Sequence, residues 1–135
     1  ESVSLYANEP RIHFHSRLPD TLSGLDIAYI STALQYVQDY PGLLRSLCAL
    51  SPRYILLVKC SAGHVPTYAS AQVNLENKRI PYWFLNLPEI TSIVEGAGYK
   101  LVFTATAEGE IDHSNLPESH RLQHHCNLLF ARLET

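Results

Sequence analysis

Apolar residues in this chain gather into short, nearly unbroken runs separated by polar stretches, and that grouping sets the first expectation. Residues 26–31, Asp-Ile-Ala-Tyr-Ile-Ser, and 54–58, Tyr-Ile-Leu-Leu-Val, are two such runs. Runs of this kind belong to strands covered on both faces, as in parallel sheets. Between them, Asp39 and Pro41 mark a helix start, and Leu43, Leu44, Leu47 and Cys48 fall on one helical face. Strand, helix, strand is a βαβ unit, right-handed by a strong general rule.

A second helix is announced by Asn86, which stands three residues before Glu89 in a capping-box-like pairing, with Pro88 in the first turn where its missing N–H costs nothing. Ile90, Ile93, Val94 and Ala97 then recur at i, i+3, i+4 and i+7, so this segment reads as an amphipathic helix. Gly96 and Gly98 close the helix and a strand opens at 100–105. Glycines that close a helix serve as its C-cap, whereas a phosphate-binding loop must follow a strand and open a helix.

Residues 11–16, Arg-Ile-His-Phe-His-Ser, alternate apolar and polar and are expected to form a half-buried strand ahead of the others. Residues 61–81 read as a long loop, and 106–126 as a second polar connection with a helical turn near 117–120. Residues 127–133, Asn-Leu-Leu-Phe-Ala-Arg-Leu, supply the last strand. The expected order is β, β, α, β, loop, α, β, loop, β, an α/β domain with a mostly parallel sheet.

Composition narrows the function classes. At 135 residues the chain is one domain, 1–135. Ten basic against thirteen acidic residues give a net charge of −3, which leaves no electrostatic footprint for nucleic acid or an anionic membrane. Charged residues are 17% where about 25% is usual, so apolar surface is expected that something must cover. No stretch approaches the roughly 18 apolar residues of a membrane span. Three cysteines without CxxC spacing argue against a disulfide framework and for a reducing, cytoplasmic setting. There is no Met, even at position 1, which suits a segment cut from a longer protein.

The string Leu-Asp-Ile-Ala-Tyr-Ile-Ser-Thr-Ala-Leu-Gln-Tyr-Val-Gln-Asp from Leu25, continued by Tyr-Pro-Gly-Leu-Leu-Arg-Ser-Leu and Arg-Tyr-Ile-Leu-Leu-Val, resembles the fourth strand, following helix and fifth strand of class I S-adenosylmethionine-dependent methyltransferases. Farther along, Arg-Ile-Pro-Tyr-Trp-Phe-Leu-Asn from Arg79, Gly-Tyr-Lys-Leu-Val from Gly98 and Cys-Asn-Leu-Leu-Phe from Cys126 resemble a family of bacterial methyltransferases whose substrates are unestablished. The resemblance implies a partial Rossmann-like methyltransferase sheet. Its reversed C-terminal strand, 127–133, would insert antiparallel between 54–58 and 100–105. The family's acidic Gly-rich loop and ribose-binding carboxylate have no counterpart here, since no Asp/Glu-x-Gly-x-Gly occurs. The chain therefore looks like the C-terminal, acceptor-side portion of such an enzyme. S-adenosylmethionine would be the parent's cofactor, and binding by these residues alone is not expected.

Ligands of open α/β sheets sit beyond the carboxyl ends of the strands. That rule places Ser31, Thr32, Leu34, Gln35 and Tyr36 at a pocket rim, and the resemblance puts this segment beside the cofactor. The competing reading is that Leu34 and Tyr36 pack the helix while Ser31 and Thr32 cap it. His64, in the loop after the 54–58 strand, is the best candidate for a general base, because an imidazole titrates near neutrality; the competing reading is a solvated loop histidine. Tyr82 and Trp83, with Phe84, would line a pocket for a small-molecule or glycan-type acceptor, or form core beneath a lid. His113, His120, His124, His125 and Cys126 offer zinc-type ligands but at no zinc-site spacing, so no metal is assigned. Two functions stay open: a methyltransferase acting on a small molecule, and a catalytically inert module for assembly. In either case an uncovered edge at 26–31 predicts a two-fold homodimer.

Overall fold

Burial alternates along the central strands, and this alternation builds the protein. The structure, a computed structural model, describes residues 6, 9–19, 21–75, 77–108 and 112–134, with backbone alone at 74 and 75. Its elements are β1 (Ile27–Ser31), α1 (Tyr40–Ala49), β2 (Tyr54–Cys60), β3 (Ala62–Gly63), β4 (Tyr68–Leu75), β5 (Lys78–Asn86), α2 (Leu87–Glu95), β6 (Tyr99–Ala107) and β7 (His125–Arg132). The main sheet has the order β1-β2-β7-β6. β1 and β2 are parallel, and β7 lies antiparallel to both β2 and β6. Three strands thus point one way and the last is reversed, inserted where the resemblance placed it.

In the β2–β7 ladder Ile55 faces Phe130 and Leu57 faces Leu128. All four are fully buried, against Leu44 and Leu47 of α1 and Ile90 and Val94 of α2. Burying each large apolar side chain stabilises the fold by roughly 1.5–3 kcal/mol. On the opposite face the register aligns Tyr29, Leu56, Leu129 and Phe103 in one row across the sheet. Its outer members, Tyr29 and Phe103, are 59% and 56% exposed, so the helices cover one face of this sheet and leave the other open.

Both helices start as their sequences require. Asp39 accepts the Gly42 N–H at 2.9 Å, with Pro41 in the first turn of α1. Asn86 accepts the Glu89 N–H at 2.9 Å. The reciprocal half of that capping box is relayed: the Asn86 N–H donates to Thr67 Oγ1, whose hydroxyl donates to Glu89 Oε2 at 2.7 Å. After α2 the chain turns at Gly98, whose φ of 89° lies in the region that glycine alone enters freely.

Two expectations are corrected. Residues 11–16 form no strand; Glu9 and Arg11 make a local turn with the Ile12 N–H on the Glu9 carbonyl, and Ile12 and Phe14 stay exposed. Alternation predicts which face a strand buries but supplies no partner, and no ladder receives these residues. The segment 61–81 is no loop. It holds β3 and most of a hairpin in which β4 pairs antiparallel with β5, joined through Asn77 at φ 64°, a left-handed position that Asn tolerates. Pro81 fits because it faces Ala71 on β4 while the short β3 reaches only Leu85 and Asn86, leaving the other edge of β5 free there among the described residues. Among the described residues, no helix is long and apolar enough to cross a membrane.

Candidate functional site

The carboxyl end of β1 turns sharply through Thr32, whose φ of 49° is unusual for a β-branched residue and represents stored strain of about 1–3 kcal/mol. The Thr32 N–H donates to the Val58 carbonyl at 3.0 Å, and the chain then winds into a 3₁₀ turn, Leu34–Tyr36. This turn sends Leu34 into the core and Gln35 and Tyr36 toward the hairpin. Tyr36 donates its hydroxyl to Gln72 Oε1 at 2.9 Å and meets the Tyr82 ring edge-on at 5.4 Å.

Gln35, Tyr36, Tyr82, Phe84, His113 and His125 surround a cavity of about 490 Å³, completed by Thr32, residues 70–73 of β4, Asp112, Asn115 and Leu116. Period-2 alternation explains why Tyr82 and Phe84 share this wall while Trp83 and Leu85 turn to the main core. His125 arrives at the same edge because β7 begins opposite Ala107, the last residue of β6.

The polar groups are linked. The hydroxyls of Tyr82 and Ser61 are in direct hydrogen-bond contact, and Tyr82 Oη lies 3.3 Å from His125 Nε2. Burial holds the Tyr82 phenol above the ordinary tyrosine value, so it keeps its proton at neutral pH. Burial lowers His125, and repulsion between its protonated form and Lys59 or a protonated His113 acts in the same direction, which favours the neutral imidazole. His113 is likewise lowered, first by burial, with Asp112 opposing. Its Nδ1 accepts the Leu122 N–H at 3.1 Å, which assigns the ring proton to Nε2. That Nε2 and Gln35 Oε1 are buried with no partner among the described residues. Both atoms lie behind the cavity wall rather than on its accessible surface, and Asp112 is the single charged side chain lining the cavity among the described residues. An uncharged, ring-bearing small molecule suits this wall better than a phosphate.

The residues expected from sequence divide. Thr32, Gln35, Tyr36 and Tyr82 line the cavity. Ser31 ends β1 beneath it and Leu34, 1% exposed, packs in the core. Trp83 packs against the main core, and His64 is exposed in a bend after β3, away from the cavity wall. His113 and His125 were reached only as zinc-type ligands, and no group of three metal-binding side chains converges among the described residues. A second cavity, about 740 Å³, lies at the amino ends of β1 and β2 between Leu22–Asp26 and Arg53. It is larger, but it has neither a wall of clustered rings nor the carboxyl-edge position at which open α/β sheets take ligands.

No protein-family model matches the chain, and no curated protein matches it by sequence. Solved structures do share its fold. A Listeria monocytogenes protein assigned to the S-adenosylmethionine-dependent methyltransferases superposes with a TM-score of 0.58 at 7% identity, covering 81% of this chain and 62% of its own. The 1,6-didemethyltoxoflavin-N1-methyltransferase of Burkholderia thailandensis, solved with 1,6-didemethyltoxoflavin and S-adenosylhomocysteine bound, gives 0.53 at 14% identity, covering 81% and 44%. The chain thus spans less than two thirds of either protein. At such identities the likeness is one of fold: this is a mixed α/β domain with the architecture of part of an S-adenosylmethionine-dependent methyltransferase.

Proposed function

We propose that these residues form the C-terminal, acceptor-side portion of a class I S-adenosylmethionine-dependent methyltransferase acting on a small molecule. The observation that carries this reading is the cavity of Gln35, Tyr36, Tyr82, His113 and His125 at the carboxyl edge of a sheet whose last strand is reversed. The segment Ser31–Tyr36, which brings Thr32, Gln35 and Tyr36 to the cavity, would flank one side of the cofactor; the grip on its methionine and ribose parts belongs to the family's acidic Gly-rich loop and ribose carboxylate, which have no counterpart in this sequence. When bound, the cofactor supplies an activated methyl group on a sulfonium.

Methyl transfer asks the protein mainly for alignment. Tyr36 and Phe84 would hold the acceptor by its rings. The neutral His125, joined to Tyr82, is the better placed base, because it borders the cavity and His64 does not. The test is transfer of labelled methyl from S-adenosylmethionine to a panel of small aromatic acceptors by the longest natural chain that carries these residues. Label should reach the small-molecule fraction and fall at least tenfold in His125→Ala. Transfer to no acceptor, or transfer indifferent to His125, contradicts the proposal. A second reading, an inert assembly module, draws on the exposed row from Tyr29 to Phe103.

A further inference from the structure

The ladder between β2 and β7 is regular as far as Leu57 opposite Leu128, then shifts and resumes with Cys60 opposite Cys126. Three residues advance on β2 while two advance on β7, so one extra residue is accommodated in a bulge. Without it Lys59 would face Cys126. Lys59 sits at a φ of 49°, and its N–H donates to Asn127 Oδ1 at 2.9 Å. A strained backbone position, held by a side-chain hydrogen bond from the partner strand, therefore brings the two cysteines face to face. Directly opposed residues of antiparallel strands have Cα atoms about 4.5–5.5 Å apart, inside the roughly 4.4–6.8 Å range that a disulfide spans.

The two thiols differ in a way that suits sequential chemistry. Cys60 is 2% exposed, whereas Cys126 is partly accessible and its thiol donates to the Cys60 carbonyl at 3.7 Å. The Cys60 side chain beside it favours the thiolate on Cys126, with burial opposing, while the same neighbour and burial push Cys60 up. The third cysteine, Cys48, is buried on α1 outside this ladder.

We propose that Cys60 and Cys126 form a thiol–disulfide exchange site whose reactant is a small-molecule disulfide. The Cys126 thiolate attacks one sulfur of the reactant, forming a mixed disulfide and releasing one reactant thiolate, which takes up a proton. Cys60 then loses its proton to solvent and attacks Cys126 Sγ, breaking the mixed disulfide and expelling the second thiolate, which is protonated in turn. Two protein thiols are oxidised to one disulfide, and the reactant is reduced to two thiols. The bond closes beside the pocket, because Ser61 follows Cys60, His125 precedes Cys126, and both neighbours contact the Tyr82 hydroxyl.

The experiment incubates the folded chain with oxidised glutathione, traps remaining thiols with N-ethylmaleimide under denaturing conditions, and reads intact mass and linked peptides. The expected product has lost two hydrogens, takes one maleimide in place of three, and yields a Cys60–Cys126 peptide pair with the maleimide on Cys48. In Cys60→Ser, glutathione should remain on Cys126. Three maleimides on the wild-type chain after incubation, or a linkage that includes Cys48, would overturn the proposal without reference to any variant.

Discussion

Tyr82 Oη and His125 Nε2 lie 3.3 Å apart, although 43 residues separate them in sequence, and the same phenol contacts the buried Ser61 hydroxyl. Tyr82→Phe keeps the ring and removes both partners at once. An unmade hydrogen bond at a buried group costs about 1–3 kcal/mol. Urea denaturation should show the unfolding free energy lowered by that amount, through a lower midpoint at unchanged slope. A variant as stable as the parent would mean that the link carries no energy.

Acid should destabilise the domain in a window set by histidine. His113 and His125 both have folded values lowered from the ordinary 6.5, chiefly by burial. Above the unfolded value both states are neutral and no difference exists. As pH falls through about 6.5 toward the lowered folded values, the unfolded chain binds more protons, so stability declines and then levels off. His125→Gln should flatten part of that decline in denaturation midpoints measured from pH 7.5 to 5. An unchanged profile would place the responsible groups elsewhere.

Self-association is expected through β1. Among the described residues nothing pairs with its outer edge, and Ile27 and Tyr29 are 49% and 59% exposed. An unpaired apolar edge is a template for a second copy of the chain. Light scattering at micromolar concentration should give twice 15.2 kDa, and Tyr29→Lys should return the mass to one chain. A wild-type mass of one chain removes the dimer.

These 135 residues alone should bind S-adenosylmethionine poorly, since the cavity supplies Gln35 and its neighbours but no Gly-rich loop. Calorimetric titration should detect no saturation tighter than about 10 μM, roughly −7 kcal/mol. Tighter binding would show that the carboxyl-edge segment suffices.

The strands at 27–31 and 54–60 and both helices were legible because short apolar runs, caps and 3.6-residue spacing are local signals, although the sheet is covered on one face rather than the two that such runs suggest. The β4–β5 hairpin was not, because Ala69, Ser70, Ala71 and Gln72 carry little apolar contrast and Pro81 argues against a strand unless its free edge is known. The 11–16 strand failed for the converse reason, a good pattern without a partner. In the site, Thr32, Gln35 and Tyr36 follow from the end of the first strand, and Tyr82 from the aromatic cluster at 82–84. His113 and His125 do not, because what brings them to Tyr82 is the insertion of β7 between β2 and β6, and no spacing within 106–126 encodes that.

A ligand at the carboxyl-edge cavity, rather than at the larger cavity on the opposite edge, would change the protection of different backbone amides. Hydrogen exchange on the longest natural chain carrying these residues, with and without S-adenosylhomocysteine, distinguishes the two most directly. Exchange should slow at Thr32–Tyr36. Protection confined to Leu22–Asp26 and Arg53, or none anywhere in these residues, would contradict the carboxyl-edge site.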